Sequence, residues 1–212
     1  MVNKYKTILF FGPPGSGKST QAKLLNKKKF FYISTGELLR KLENNINFKN
    51  SGLGKKIAKI MSSGGLIPDD TMLKLLQKIL EEDIRKSVFD PTKQILILDG
   101  IPRDVSQAKK INGILNVVKI IDIYISDDSI LIKRLVGRAK KDGRQDDKNI
   151  ETTRRRLNIY KKETAEVLAY YPGKIISKIN GINTINEINR QIINELKKYE
   201  NSQQQKTGSG II

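Results

Sequence analysis

The clearest chemistry in the chain lies in one short stretch, Gly12-Pro13-Pro14-Gly15-Ser16-Gly17-Lys18-Ser19-Thr20. It fits the spacing G-x-x-x-x-G-K-[ST], in which a glycine-rich turn wraps its backbone around a phosphate. Glycine at positions 12, 15 and 17 frees the backbone to curl, so that successive N–H groups point inward. A helix opening at the end of the loop aims its positive pole at the same point. Lys18 supplies a point charge suited to the β- and γ-phosphates of a nucleotide, and Ser19 offers a hydroxyl to Mg2+. Gly15, Ser16, Gly17 and Thr20 complete the cradle, so the expected ligands are a nucleotide polyphosphate and Mg2+, which leaves GTPases, motors and kinases open.

The loop needs a strand before it and a helix after it, and the sequence provides both. YKTILFF at Tyr5–Phe11 is a short apolar run of the kind that makes a buried parallel strand. Helix-forming residues follow at 19–27. Further strands are expected at Phe30–Ser34, 94–98, 118–125 and 175–179. Further helices are expected at 35–39, 53–61, 68–84, 106–115, 129–140, 150–171 and 185–199, with Gly64 and Gly65 interrupting the series. Alternating strands and helices give an α/β fold of the P-loop NTPase kind, a central parallel sheet of about five strands flanked by helices. Two insertions interrupt the alternation. One, at about 34–68, is helical without a strand. The other, a short polar lid at about 138–148, contains KKDGRQDDK. A single domain spans 1–200. The polar, repetitive stretch 201–212 reads as a disordered tail.

Composition narrows the chemistry further. The 212-residue chain has no histidine and no cysteine, which removes the commonest general base, thiolate metal sites and disulfides. What remains is Lys, Arg, Asp, Glu, Ser, Thr and a bound cation. A formal charge of +18 points to anionic partners, either phosphorylated small molecules or nucleic acid. An NTP-switched nucleic-acid-binding protein is therefore one alternative. It lacks support from aromatic stacking platforms, since only 6% of the chain is aromatic. No stretch approaches the roughly 20 apolar residues that span a bilayer. Residues 1–11 lack a small-residue cleavage site, so the expected location is the cytoplasm.

Five further segments follow the loop in order. Ile33-Ser34-Thr35-Gly36-Glu37-Leu38-Leu39-Arg40 closely resembles the acceptor-binding segment of adenylate kinases. Leu98-Asp99-Gly100-Ile101-Pro102-Arg103, with Gln107, resembles that family's second acceptor motif. Arg134-Leu135-Val136-Gly137-Arg138 resembles the helix entering the lid, and Gly143-Arg144-Gln145-Asp146-Asp147 the lid itself. Glu151-Thr152-Thr153-Arg154-Arg155-Arg156-Leu157 resembles the helix after it. The resemblance covers nearly the whole chain to about residue 199 and belongs to the short-lid form.

The resemblance implies a cytoplasmic monomer that moves the γ-phosphate of ATP to AMP, giving ADP, with small nucleotides as partners and neither nucleic acid nor membrane. It assigns Arg40 and Arg103 to the AMP phosphate, where a guanidinium can bind two oxygens at once. It puts Thr35 and Gln107 on the acceptor base, with Gly65, Leu66, Ile67, Gly100, Ile101 and Pro102 around that pocket. Arg138 meets the ATP phosphates, and Arg134 lies four residues earlier on the same helix face. Arg144 and Arg156 close over the phosphates, and backbone near Asn183 meets the ATP base. Asp99, at the end of a strand, is expected to hold Mg2+ through water. Two positions depart from the pattern: Ser19 stands where a glycine is usual, and Ile101 where a phenylalanine is common. A UMP/CMP kinase shares the short lid and is the second alternative. Thr35 and Gln107 favour AMP.

Overall fold

The computed structural model describes residues 5–63, 65–142, 147 and 149–208. Gly64 and the expected lid residues Gly143, Arg144, Gln145, Asp146 and Lys148 lie outside the described residues.

The first apolar run forms β1 (Tyr5–Phe11), and Ile8, Leu9, Phe10 and Phe11 are all buried. A strand buried on both faces must be covered on both sides. It occupies the centre of a parallel sheet with β2 (Phe30–Ser34), β3 (Ile95–Asp99), β4 (Leu115–Tyr124) and β5 (Ile176–Asn180), in the order β2-β3-β1-β4-β5. Because side chains alternate along a strand, successive residues feed two cores. Leu9, Phe11, Leu98 and Ile120 join one, and Ile8, Phe10, Ile97, Ile121 and Ile123 join the other.

The second core is closed by Ala22 of α1 (Lys18–Lys23) and by Ile188, Ile192 and Leu196 of α10 (Ile185–Gly208). Those three α10 residues recur every fourth position, the apolar stripe of an amphipathic helix. The first core is closed by the helices between β2 and β3. They are α2 (Thr35–Asn44), α3 (Ile46–Asn50) and α4 (Gly52–Ser62), which fall in the expected insertion, and α5 (Asp69–Arg85), which follows it. Met72, Leu73, Leu76 and Leu80 form the buried face of α5, while Leu39 and Ile57 anchor α2 and α4. The remaining helices, α6 (Val105–Ile111), α7 (Asp128–Asp142), α8 (Ile150–Ile159) and α9 (Val167–Tyr170), lie after β3 and β4.

The chain leaves β1 to build one side of the sheet and later crosses to β4 on the other. In such a sheet the crevice at the carboxyl ends of the strands collects ligands. The register puts Phe10 and Ser34 level with Asp99, and Phe11 level with Asp122. The glycine loop, the start of α2 and the end of β3 therefore emerge together.

Several elements differ from expectation. The first helix stops at Lys23 instead of 27, because Asn26 ends it: its side chain accepts from Lys28 N and its carbonyl from Phe30 N. The helix expected over 106–115 ends at Ile111, and Leu115 already belongs to β4, with the Asn112-Gly113 turn between. The single helix expected over 150–171 is broken. At Tyr160–Thr164 the chain widens into a π-helical turn, with Ala165 N donating to Tyr160 O. The expected disordered tail is helical from 201 to 208, since Gln-rich sequence without internal glycine or proline extends α10 to Gly208. Among the described residues no helix is long and apolar enough to cross a membrane.

Leu76 is fully buried on the core-facing side of α5. Leu76→Ala is expected to cost about 2–5 kcal/mol, read as a lower urea midpoint at unchanged slope. An unchanged midpoint would show that α5 does not share the core's cooperativity.

Candidate active site

The glycine loop has the strained backbone that its sequence requires. Gly12 has φ +133°, and a Cβ there would lie 2.2 Å from the Ile123 carbonyl of the neighbouring strand. Only glycine lets the loop pass so close to β4. Ser16 N donates to Pro13 O at 3.1 Å, and the Ser16 hydroxyl is buried without a partner. Lys18 folds back over the loop, its ammonium donating to Gly12 O at 2.7 Å and Pro13 O at 3.0 Å. Burial pulls its pKa down from 10.5 to about 8. Asp99 favours the charge, while Arg138, Arg103 and Arg156 oppose it.

Asp99 organises the floor of the cleft. It is buried, and its Oδ2 accepts from Ser19 Oγ at 2.5 Å and from Tyr32 OH at 3.3 Å. Its carbonyl accepts from Thr35 Oγ1 at 3.3 Å. Thr35 is thus buried at the start of α2, which is capped by Ser34 through Glu37 N. Gly100 follows with φ +90°, and a Cβ there would sit 2.6 Å from the Thr35 hydroxyl. Arg103 Nε donates to Gly100 O at 2.8 Å, and Thr164 Oγ1 donates to Arg103 O at 2.8 Å. Gln107 is buried beside them on α6.

One open cleft unites these parts. Its wall includes Gly12, Gly15, Gly17, Lys18, Ser19 and Thr20 of the loop, together with Gly36, Arg40, Leu66, Gly100, Pro102 and Arg103. Arg138 and Arg156 complete it from α7 and α8, and Asp99 forms the floor. Arg138 and Arg156 are both fixed by Asp147, which is fully buried. Arg138 Nε donates to Asp147 Oδ2 at 2.7 Å, and Arg156 Nη1 to Oδ1 at 2.5 Å. One carboxylate thereby aligns two guanidiniums while leaving the wall strongly positive.

The remaining expected site residues fall elsewhere. Thr35, Gly65, Ile67, Ile101 and Gln107 do not form the wall, and neither does Ser16, which is buried within the loop. Arg134 is also outside it, its guanidinium donating to Gly181 O at 2.9 Å. Asn183 lies exposed beyond that loop. Arg144 is outside the described residues. The sequence reading missed Ile159, Tyr160 and Thr164, which line the cleft, and Tyr32, which reaches Asp99. Tyr160 stands four residues after Arg156, a helical spacing that could have flagged it.

A parallel sheet whose carboxyl edge carries this loop and this set of cations defines a P-loop phosphotransferase, of the class that phosphorylates nucleoside monophosphates. Residues 10–176 match the family model described as adenylate kinase. The chain is similar to the adenylate kinase of Stenotrophomonas maltophilia (strain K279a), with 34% identity over 197 residues, covering 90% of this chain and 98% of that protein. The adenylate kinase of Prochlorococcus marinus (strain MIT 9515) is 38% identical over 198 residues, 91% of this chain and 97% of that one. That of Thermus thermophilus is 31% identical over 194 residues, 88% and 95% respectively. The chain belongs to the adenylate kinase family.

The depressed Lys18 pKa has a measurable consequence. A bound polyphosphate favours the ammonium and raises its pKa, so binding takes up a proton only where the free protein has lost it. Titration with ADP without divalent cation, in buffers of different ionisation enthalpy, should show no net uptake at about pH 6.5. Uptake should rise as pH passes about 8. Uptake independent of pH would show that Lys18 is not the titrating group.

Proposed function

We propose that the chain catalyses reversible transfer of the γ-phosphoryl group of ATP to AMP, giving two ADP. The observation that carries this reading is the convergence of Lys18, Arg40, Arg103, Arg138 and Arg156 on one cleft that the glycine loop also lines. An AMP phosphate oxygen bonds to the γ-phosphorus as the bond to the β–γ bridging oxygen breaks, and ADP leaves with that electron pair. Charge spreads over the moving group, so fixed cations and inward-facing N–H groups supply most of the stabilisation.

In this reading the glycine loop and Lys18 hold the β- and γ-phosphates, and Arg40 and Arg103 hold the AMP phosphate. Arg138 and Arg156 lie over the transferring group, and Arg144 is assigned the same role. The backbone near Asn183 serves the ATP base, and Arg134, expected among the catalytic residues, instead holds the Gly181 carbonyl of that loop. Thr35 and Gln107, with the 65–67 segment, serve the acceptor base. Ser19 and Asp99 are paired oxygen donors at the loop, which suits Mg2+, an ion that takes one or two protein oxygens and completes its shell from phosphates and water. When bound there, Mg2+ would neutralise phosphate charge. The insertion at 34–68 and the lid at 138–148 close over both nucleotides and exclude water that would otherwise hydrolyse ATP. The protein acts as a cytoplasmic monomer.

A coupled assay with ATP, Mg2+ and each of AMP, CMP, UMP and GMP should give fastest turnover on AMP. Faster turnover on UMP or CMP would transfer the chain to the pyrimidine-specific reading. Lys18→Ala should lower turnover by on the order of 10²–10³, as loss of a key electrostatic donor does. Near-normal turnover in that variant would falsify a catalytic role for the loop. A bisubstrate analogue joining two adenosines should reduce the radius of gyration in small-angle scattering, and an unchanged radius counts against closure.

A further inference from the structure

We propose that Asp69 is a positioning residue for acceptor-base selection: with the backbone of Arg103, it locks the Gln107 carboxamide in the orientation that matches adenine. This rests on the reading above, in which Gln107 meets the acceptor base.

Gln107 is 3% exposed in the first turn of α6, where its own N–H donates to the capping Asp104 Oδ1 at 2.8 Å. Its Oε1 accepts from Arg103 N at 2.8 Å, and its Nε2 donates to Asp69 Oδ1 at 3.0 Å. A backbone N–H can only donate and an ionised carboxylate can only accept. Turning the amide over would set two donors against each other at Arg103 and two acceptors against each other at Asp69. The neighbours' chemistry therefore fixes which end is oxygen and which is nitrogen. Asp69 is itself held at the first turn of α5, with Lys110 Nζ 3.8 Å from its Oδ2. Lys110 also binds Asp70 at 2.7 Å.

After these two contacts the carboxamide retains one N–H and one lone pair. Adenine presents its N6 amine, a donor, beside a ring-nitrogen acceptor, a pattern that a glutamine amide matches with both its atoms. Hypoxanthine, the base of IMP, carries a carbonyl at position 6 and a donor at N1. For a base in the same pose, the locked Oε1 then faces an oxygen instead of an amine. A site built around buried polar groups rejects such a mismatch strongly, because the groups are left unpaired. An amide free to turn would accept either base. Asp69 touches no substrate in this scheme and acts through Gln107.

The test is steady-state kinetics with AMP and IMP as acceptors on the full chain, comparing wild type with Gln107→Leu, Asp69→Leu, Asp69→Asn and the Asp69→Leu/Gln107→Leu double variant. Asp69→Leu should raise the KM for AMP by about tenfold or more and cut the AMP-over-IMP ratio of kcat/KM by about tenfold, with the KM for ATP unchanged. Asp69→Asn keeps an oxygen acceptor and should hold that ratio within about threefold of wild type. In the Gln107→Leu background, Asp69→Leu should change the ratio no further, because the two residues act as one unit. Equal loss in Asp69→Asn and Asp69→Leu would overturn the lock and leave only a charge effect at the start of α5. So would an unchanged ratio in Asp69→Leu when Gln107→Leu collapses it. If Gln107→Leu itself leaves the ratio unchanged, the base-recognition reading fails first and the lock falls with it. Circular dichroism melting identifies any variant that does not fold, and Asp69→Ala then replaces Asp69→Leu under the same criteria.

Discussion

The structure depends on holding like charges together. Lys18, Arg40, Arg103, Arg138 and Arg156 share one cleft, and among the described residues Asp99 and Asp147 are carboxylates set among them. In isolation such a cluster would spread apart. Here the cations are braced by rigid partners: Lys18 by two loop carbonyls, Arg103 by the Gly100 carbonyl, and Arg138 and Arg156 by a fully buried carboxylate. A bound polyphosphate would add counter-charge to that cluster. Burial is the main cause of the lowered pKa of Lys18; Asp99 favours its charge, and Arg138, Arg103 and Arg156 oppose it.

The sheet makes this bracing possible. Strand register puts Ser34, Asp99 and the glycine loop at one edge, so three sequence-distant turns can exchange hydrogen bonds. Asp99 uses its side chain toward Ser19 and Tyr32 and its carbonyl toward Thr35. It thereby joins the loop, β2 and the start of α2 through one residue. The two cores on either side of the sheet keep that edge from shifting.

Much of this was legible in the sequence, for identifiable reasons. The glycine loop could be read directly because its spacing dictates its backbone, and the apolar strands because burial on both faces leaves continuous hydrophobic runs. Arg40, Arg103, Arg138 and Arg156 were named as site residues, and the structure brings them to the cleft wall. The positions of Thr35, Gln107 and Arg134 were less visible. Each is engaged with a residue far away in sequence, namely Asp99, Asp69 and Gly181, and local pattern carries no record of such a partner. The break in the helix at Tyr160–Thr164 was hidden for a similar reason. Helix propensity is satisfied across it, and the wider turn is chosen by tertiary contacts. Polar repetition at 201–208 suggested disorder, yet glutamine is a good helix former and α10 was already nucleated.

That π-helical turn shapes the cleft in one more respect. It brings Thr164 back onto the Arg103 carbonyl, while Tyr160 at its start lines the same cleft a few residues after Arg156. The segment that carries Arg156 and the segment that carries Arg103 are thus tied to one another across the cleft. A shift of either segment is therefore handed on to the other through the Thr164 hydroxyl.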